Sequence, residues 1–365
     1  MYKYPVYQPS LTGNEKKYIN EALDSTWISS KGEFLPKFEK GFADYIGAKY
    51  ATAVSNGTVA IHLALAALGI GHDDEVIVPT FTYIASVNPI AQVGATPVFV
   101  DSLEDTWQMD PADVERKITP RTKALMVVPI YGHPCDMDAL MKIADMHNLF
   151  VVEDCAEAIG SCYKDRHVGT FGDIGAFSFF GNKTITCGEG GMTVTNDATI
   201  MDRLVHYKGQ GLAKYREYWH DVPGFNYRMT NIAAAIGLAQ LEQVETFVRK
   251  KQAIAKWYKE GLRGTNVKFH EAVPDVFHSY WMCSILVSEA GVRDPLREHL
   301  KAAGIETRPA FNPVHTMPMY MARYARHPVA QDIALRGINL PSYPGLTKED
   351  VAFICEEIRG FYEGE

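Results

Sequence analysis

The chain has 365 residues, of which 47% are hydrophobic and 22% are charged, so it can bury a substantial core and is too apolar for intrinsic disorder. Its 36 basic and 44 acidic residues give a net charge of -8, which argues against a general nucleic-acid binder because such proteins are usually basic. No apolar run approaches the ~20 residues that a membrane-spanning helix needs.

Between about residues 50 and 195, short β-branched runs alternate with longer segments of helical periodicity. This pattern is typical of parallel strands joined by crossover helices. Strands are predicted over 75–79, 97–101, 123–129, 149–154, 174–179 and 191–195. Helices are predicted over 58–68 and 137–147, and one continuous helix over 231–251 is the longest helical pattern in the chain.

The last third of the chain predicts a smaller α/β domain. An apolar segment over 279–287 precedes a helix near 293–303, and a terminal helix is predicted over 348–362. We therefore expect a large domain over 1–250 and a small C-terminal domain over 251–365. Because no low-complexity linker separates them, the two domains should pack closely.

The cysteines, the histidines and the N-terminus indicate the cellular compartment and whether the chain binds a metal ion. The six cysteines are scattered without a Cys-x-x-Cys pair, which suits reduced thiols, and the 12 histidines show no His-Glu-x-x-His spacing. The N-terminus lacks the apolar core and cleavage pattern of a signal peptide. We expect a cytoplasmic protein without a metal ion.

The candidate site lies just after the predicted strands, because ligands of parallel α/β sheets bind beyond the carboxyl ends of the strands. Ser55, Asn56, Gly57 and Thr58 open a helix, where free N–H groups and the helix dipole suit a phosphate. An ordinary helix N-cap uses the same residue types, so this segment alone leaves both readings open.

Two further segments place ionisable groups after apolar strands. Asp154 would be costly to bury unpaired, and a protonated heterocyclic nitrogen is one partner that would satisfy it; the alternative is a helix cap completed by Glu157. Lys183 lies between an aromatic strand and a glycine-rich segment. A lysine shielded from water loses its proton readily and suits Schiff-base chemistry, although most lysines are solvated surface charges.

Two segments gain meaning only in combination with the others. Tyr83 follows the strand over 75–79 and offers an aromatic face to a flat ligand, and residues 224–230 place polar groups before the long helix. Each alone is more often simple packing. All five together favour a binding site at one edge of the sheet.

The set of motifs resembles the nucleotide-sugar aminotransferases of the DegT/StrS type, which are pyridoxal-phosphate enzymes. The resemblance runs along nearly the whole chain and includes SNGTVAIHLAL, DEVIVPTFTYIAS, VVEDCAEAIGS, GDIGAFSFFGNKTITCGEGGM and GFNYRMTNIAAAIGLAQLEQ. It implies the aspartate-aminotransferase fold (PLP fold type I), in which a large domain with a mostly parallel central sheet carries a smaller C-terminal α/β domain.

The resemblance also implies roles for individual residues. Lys183 would bind pyridoxal 5'-phosphate covalently and move the proton during catalysis, and Asp154 would pair with the pyridinium nitrogen. Glu157 would lie near the phenolic oxygen, where many relatives carry Gln, and Tyr83 would stack on the ring. The remaining cofactor contacts, all expected at the phosphate, are Gly57, Thr58, Ser178 and, from the neighbouring subunit, Asn226. The active site would then need a homodimer, with a tetramer left open.

The substrate is less strongly indicated. STWISSKG, AFSFFGNKTITCGEGG and ETRPAFNPVHTMPMY resemble members that aminate GDP-4-keto-6-deoxymannose at C4, with L-glutamate as donor, for O-antigen and lipopolysaccharide biosynthesis. Alternatives are a UDP- or dTDP-linked 4-keto or 3-keto sugar, and a non-catalytic regulatory relative. Lys183 favours transamination, because related 3-dehydratases carry histidine there. The candidate substrate contacts are Ser29, Lys31, Arg228, Glu306, Arg308 and His315, although Glu306 and Arg308 equally suit an ion pair with each other.

Overall fold

The computed structural model describes residues 2–322 and 325–363, and its strands form three sheets. The strands are β1 (Tyr50–Val54), β2 (Glu75–Pro79), β3 (Thr96–Val100), β4 (Thr122–Val127), β5 (Phe150–Asp154), β6 (Cys162–Tyr163), β7 (Arg166–His167), β8 (Ile174–Ser178), β9 (Gly191–Thr195), β10 (Lys268–Phe269), β11 (Val276–Phe277), β12 (Cys283–Leu286), β13 (Arg308–Pro309) and β14 (Gly337–Leu340).

Helices cover the sheets and connect their strands. They are α1 (Glu15–Asp24), α2 (Phe34–Ile46), α3 (Gly57–Ala67), α4 (Asn88–Gln92), α5 (Pro111–Lys117), α6 (Met137–His147), α7 (Ala198–Lys208), α8 (Asn231–Leu241), α9 (Val244–Gly261), α10 (Arg293–Ala302), α11 (Pro328–Arg336) and α12 (Lys348–Glu363). Within the described residues, no helix combines the length and apolar character that crossing a membrane requires.

The central sheet has seven strands in the order β1-β9-β8-β5-β4-β2-β3. The pairs from β8 to β3 are parallel, whereas β9 is antiparallel to both of its neighbours. All of β2, β8 and β9 are buried along their length, which explains their nearly continuous apolar sequences. The predicted mostly parallel sheet is confirmed, and the six predicted strands lie within two residues of their observed bounds.

A second, antiparallel sheet in the order β10-β12-β14-β13 organises the C-terminal part. Its core contains Ile285, Leu300 and Ile354, contributed by β12, α10 and α12. Helix α9 joins both cores, because Val248 packs with the central sheet and Tyr258 with the second sheet. The predicted domain division at 250/251 therefore falls inside one helix, and it stays a prediction.

The single helix predicted over 231–251 is wrong, because the chain forms two helices, α8 and α9, separated at Glu242 and Gln243. Glu242 accepts hydrogen bonds from Asn14 and Tyr18, at 2.7 and 2.6 Å. Thr12 donates to the side chain of Gln243 at 3.0 Å. The N-terminal segment thus docks at the break. No glycine or proline marks this position, so local sequence does not reveal it.

The topology brings the ends of three strands together. Strands β5 and β8 are neighbours, and Tyr83, Asp154 and Lys183 lie at or just beyond the carboxyl ends of β2, β5 and β8. The polar residues that the sequence spreads over a hundred positions therefore meet at one edge of the central sheet.

Candidate active site

A cavity of about 1020 Å³ opens at this edge, between the central sheet and the C-terminal part. Eight of the residues predicted for the site line it: Gly57, Thr58, Tyr83, Asp154, Glu157, Ser178, Lys183 and Arg308. The structure therefore brings together the candidates for cofactor binding, apart from Asn226, and one of the candidates for substrate binding.

Lys183 lies in the turn that follows β8. Its Nζ is 3.8 Å from Oε1 of Glu157 and 4.0 Å from the centroid of the Trp281 ring, and only 11% of its side chain is exposed. Burial lowers the pKa of Lys183, and the carboxylates of Glu157 and Asp154 oppose that effect. A lysine in this position is easier to deprotonate than a surface lysine, as a nucleophilic role requires.

Asp154 ends β5 with its carboxylate buried at the cavity. Oδ2 accepts a hydrogen bond from the Ser86 hydroxyl at 2.6 Å, and Oδ1 accepts one from the backbone N–H of Ala156 at 3.2 Å. Burial raises the pKa of Asp154, and Ser86, Ala156 and Lys183 oppose this. Within the described residues Asp154 forms no ion pair, so a cationic group in the cavity would stabilise it.

Glu157 lies next to Lys183 and bonds to a turn in which Tyr131 has a positive φ. Its Oε2 accepts a hydrogen bond from the backbone N–H of Tyr131 at 2.9 Å, and Tyr131 has a positive φ of 56°. Burial raises the pKa of Glu157 to about 7, and the nearby Lys183 opposes the rise. The alternative in which Asp154 and Glu157 cap a helix is wrong, because residues 155–161 form turns and no helix before β6 begins.

The first turn of α3 closes one end of the cavity. Asn56 is its N-cap and accepts a hydrogen bond from the N–H of Val59 at 3.0 Å, so the ordinary capping reading holds. Gly57 and Thr58 of the same turn line the cavity, and backbone N–H groups in the first turn of a helix have no partner within the helix. A Cβ on Gly57 would lie 2.6 Å from Cβ of Ser178, so glycine permits the close approach of α3 to β8. The result is a small cradle of N–H groups and one hydroxyl.

Two aromatic rings form the open side of the cavity. Tyr83 is 55% exposed, and its ring centroid is 5.6 Å from that of Phe311. Asn226, by contrast, does not line the cavity. It is exposed and accepts hydrogen bonds from the guanidinium of Arg228 at 3.2 and 3.1 Å.

The substrate candidates are scattered. Arg308 lines the cavity, and its Nη2 is 3.7 Å from Oε1 of Glu306, so the ion-pair alternative holds; Glu306 also accepts a hydrogen bond from the N–H of Val6 at 2.8 Å. His315 is buried with Nδ1 2.7 Å from the Thr80 hydroxyl. The remaining candidates, which are exposed and outside the cavity lining, are Ser29, Lys31 and Arg228.

Sequence reasoning missed two residues of the site. Ser86 donates to Asp154, and Trp281 covers Lys183 while its Nε1 donates to the carbonyl oxygen of Asn182 at 2.8 Å. Ser86 lies three residues after Tyr83, within a matched motif, and could have been found there. Trp281 lies two residues before β12 of the second sheet, and no local sequence pattern indicates that it contacts Lys183.

The residues at this site fit pyridoxal 5'-phosphate. An anion-binding cradle at Gly57 and Ser178, a buried carboxylate without an ion pair at Asp154 and a lysine of lowered pKa at Lys183 match its phosphate, its ring nitrogen and its aldehyde. No cluster of three or more metal-ligating side chains occurs within the described parts of the chain.

Comparison with known proteins agrees with this chemistry. The model of the DegT/DnrJ/EryC1/StrS aminotransferase family matches residues 9–359. The chain is 63% identical to the GDP-perosamine synthase of Escherichia coli O157:H7, over 98% of each chain, and 50% identical to that of Vibrio cholerae, over 98% of this chain and 99% of the relative. Its fold is similar to that of DesV from S. venezuelae, with a TM-score of 0.91 and 36% identity over 96% of this chain and 94% of DesV.

Proposed function

The chain belongs to the DegT/DnrJ/EryC1/StrS aminotransferase family, and from that premise we propose that it makes GDP-perosamine. It transfers the amino group of L-glutamate to C4 of GDP-4-keto-6-deoxy-D-mannose and releases 2-oxoglutarate, for O-antigen and lipopolysaccharide biosynthesis. The observation that carries the proposal is the 63% identity, over nearly the full length of both chains, to a GDP-perosamine synthase. The cofactor is pyridoxal 5'-phosphate.

When bound, pyridoxal phosphate supplies the carbon that carries the amino group and a conjugated ring that stabilises negative charge at the reacting carbon. Lys183 holds the cofactor through Nζ. When it is free, the same Nζ would move a proton between the substrate carbon and the cofactor carbon. The lowered pKa of Lys183 supports both roles, because the unprotonated amine is the form that attacks a carbonyl and accepts a proton.

The two buried carboxylates have different tasks in this proposal. Asp154, when ionised, would pair with the protonated ring nitrogen, and its hydrogen bond from Ser86 fixes its orientation. Glu157 Oε1 lies 3.8 Å from Lys183 Nζ, and its carboxyl group would interact with the phenolic oxygen of the cofactor. Since the pKa of Glu157 is raised to about 7, it holds a proton over part of the neutral range and can donate it there.

The phosphate and the ring are held by the remaining cavity residues. The first turn of α3, at Gly57 and Thr58, and the Ser178 hydroxyl bind the phosphate, while Tyr83 stacks on the ring. Asn226 would reach the phosphate of the pyridoxal phosphate that is bound to a second copy of the chain. Asn226 is exposed and does not line the cavity of its own chain, which supports a homodimeric active site.

The sugar nucleotide brings two negative charges that need cations, because the chain as a whole is acidic. Arg308 lines the cavity and is the cation proposed to act from the same subunit. Lys31 and Arg228 are exposed and are proposed to act across the dimer, as is Ser29. His315 supports the cavity from behind Thr80, and Glu306 orients Arg308.

The test is incubation of the cofactor-loaded protein with glutamate and a panel of GDP-, UDP- and dTDP-linked 4-keto-6-deoxy sugars, followed by mass and NMR analysis. We expect an amine at C4 of the GDP-linked sugar alone and ping-pong kinetics. Preference for another nucleotide would overturn the substrate, and a 3-deoxy product would overturn the role of Lys183. Absence of amino transfer to any sugar, with cofactor bound, would revive the non-catalytic alternative.

A further inference from the structure

Lys251 is a buried ammonium group without a carboxylate partner. It lies within α9, and 0% of its surface is exposed. Nζ donates to the backbone carbonyl oxygens of Trp281, at 3.0 Å, and of Ser342. Among the described residues it forms no ion pair. A charge buried in this way is destabilising, and an apolar side chain of similar length avoids that penalty, so packing alone does not explain a lysine here.

The surroundings of Lys251 are built from three separate parts of the chain. Trp281 lies two residues before β12, Ser342 lies two residues after β14, and the centroid of the Tyr7 ring in the N-terminal segment is 5.3 Å from Nζ. Ser342 also donates its N–H to the carbonyl oxygen of Val6, at 3.1 Å. One ammonium group thus joins α9, the second sheet and the N-terminal segment. Burial lowers the pKa of Lys251 to about 8, which leaves it protonated at neutral pH.

Two of these neighbours contact the turn that carries Lys183. The Trp281 ring centroid is 4.0 Å from Lys183 Nζ, and its indole N–H is bonded to the carbonyl oxygen of Asn182. The Tyr7 hydroxyl donates to the carbonyl oxygen of Lys183 itself. Lys251 therefore contacts both of the aromatic residues that hold Lys183: Trp281, which packs on its side chain, and Tyr7, which bonds its backbone.

We propose that Lys251 is a positioning residue for amino transfer, which holds Trp281 and Tyr7 against Lys183 without touching substrate or cofactor. The part of this proposal that concerns amino transfer to the GDP-linked sugar rests on the proposed function. Its physical basis is that proton transfer by Lys183 requires Nζ to stay within hydrogen-bonding reach of the reacting carbons. A displacement of about 1 Å at such a group lowers the rate by about 10²-fold.

The test compares Lys251→Met, which keeps the length of the side chain and removes its three donors, with Lys256→Met on the exposed face of the same helix, where 73% of the lysine side chain is exposed. The first readout uses the cofactor-free protein with ¹⁵N-labelled tryptophan. The chain has five tryptophans, so five indole signals are expected, and Trp281→Phe assigns the relevant one.

We expect the Trp281 indole proton to exchange with solvent at least ~10-fold faster in Lys251→Met, because its hydrogen bond to Asn182 opens more often, while the other four indole protons are unchanged. Lys251→Arg keeps a positive charge and donors and should restore part of the protection. Faster exchange of all five protons would mean a general structural role and would overturn the proposal. If Lys251→Met does not fold, Lys251→Gln, which keeps a donor, takes its place in the comparison.

The second readout is the kinetics of the cofactor-loaded enzyme. Lys251→Met should lower kcat by roughly 10- to 100-fold with KM within about threefold of the wild type, since substrate contacts are untouched. Kinetics and exchange that match those of Lys256→Met would overturn the proposal. If neither the wild type nor the variants aminate the GDP-linked sugar, yet Trp281 exchange responds as expected, the proposed function fails and the positioning contact stands.

Discussion

The floor and the mouth of the cavity differ in how firmly their side chains are held. The floor consists of Asp154, Glu157, Ser178 and Lys183, which are buried or nearly so and have polar partners within the chain. The mouth consists of Tyr83, Phe180 and Arg308, whose side chains are 55%, 47% and 47% exposed. The floor is preorganised before any ligand arrives, whereas the mouth acquires most of its contacts from the ligand.

This difference separates chemistry from recognition. Groups that shift charge and protons work best when their surroundings are fixed and dry, because low local dielectric strengthens each interaction. Groups that recognise a large polar substrate are solvated until it binds, and their interactions with it partly replace interactions with water. Substitutions in the floor should therefore lower kcat most, and substitutions in the mouth should mainly raise KM.

The largest effect is expected for Lys183→Ala. Amino transfer should fall by roughly 10⁴-fold or more, because the variant loses both the covalent attachment and the proton carrier. The visible absorbance of the covalently held cofactor should disappear as well, as a spectrophotometer would record. Lys256→Ala, at an exposed position, serves as the control. An unchanged spectrum in Lys183→Ala would place the covalent attachment at another lysine.

Neighbouring carboxylates on β5 give a sharper comparison within the floor. Asp154→Asn should lower kcat by about 10³-fold, because a neutral amide no longer keeps the ring nitrogen protonated. Glu153 points to the opposite face, where it accepts hydrogen bonds from the N–H groups of Gly169, Phe171 and Gly172 at 2.7 to 2.8 Å. Glu153→Gln should therefore lower the unfolding temperature with little effect on kcat. Equal losses of kcat in both variants would contradict the assignment of Asp154.

The residues of the floor were largely predictable from sequence, because short-range sequence patterns mark the strands that carry them. Asp154 ends one apolar strand and Lys183 follows another, so the strand pattern itself indicates the sheet edge to which they belong. Trp281 was not predictable in this way, because its hydrogen bond to Asn182 spans 99 residues and depends on how the second sheet packs. The break between α8 and α9 was not predictable from local sequence either, because its contacts with Asn14 and Tyr18 of the N-terminal segment span 228 and 224 residues.

Glu157 should make the free energy of unfolding depend on pH. Burial raises its pKa to about 7 in the folded chain, above the ordinary glutamate value of 4.5. A raised folded-state pKa stabilises the protein below pH 4.5, and this contribution is lost as the pH rises through about 7. In the cofactor-free protein we expect the free energy of unfolding to fall by up to about 3 kcal/mol between those values relative to Glu157→Gln. Urea unfolding of both proteins at several pH values measures the difference, and parallel pH profiles would contradict it.

The smallest effect is expected at the mouth, for Arg308→Ala. Its guanidinium lines the cavity and is paired at 3.7 Å with Glu306, and about half of its side chain is exposed to solvent. An exposed ion pair of this kind contributes little to stability, so the unfolding temperature should hardly change. A charged contact to the diphosphate is stronger, and KM for the sugar nucleotide should rise about 10-fold, with kcat and KM for glutamate nearly unchanged.

Glu306→Gln is the matched control, because it removes the ion-pair partner of Arg308 and keeps the acceptor for the N–H of Val6. If Arg308 binds the substrate, KM in this variant should stay within about threefold of the wild type, since the arginine remains free to reach the phosphates. If Arg308 acts only as the partner of Glu306, both variants should change KM alike. That result would move recognition of the diphosphate away from this wall of the mouth and toward Lys31 and Arg228 of a second copy.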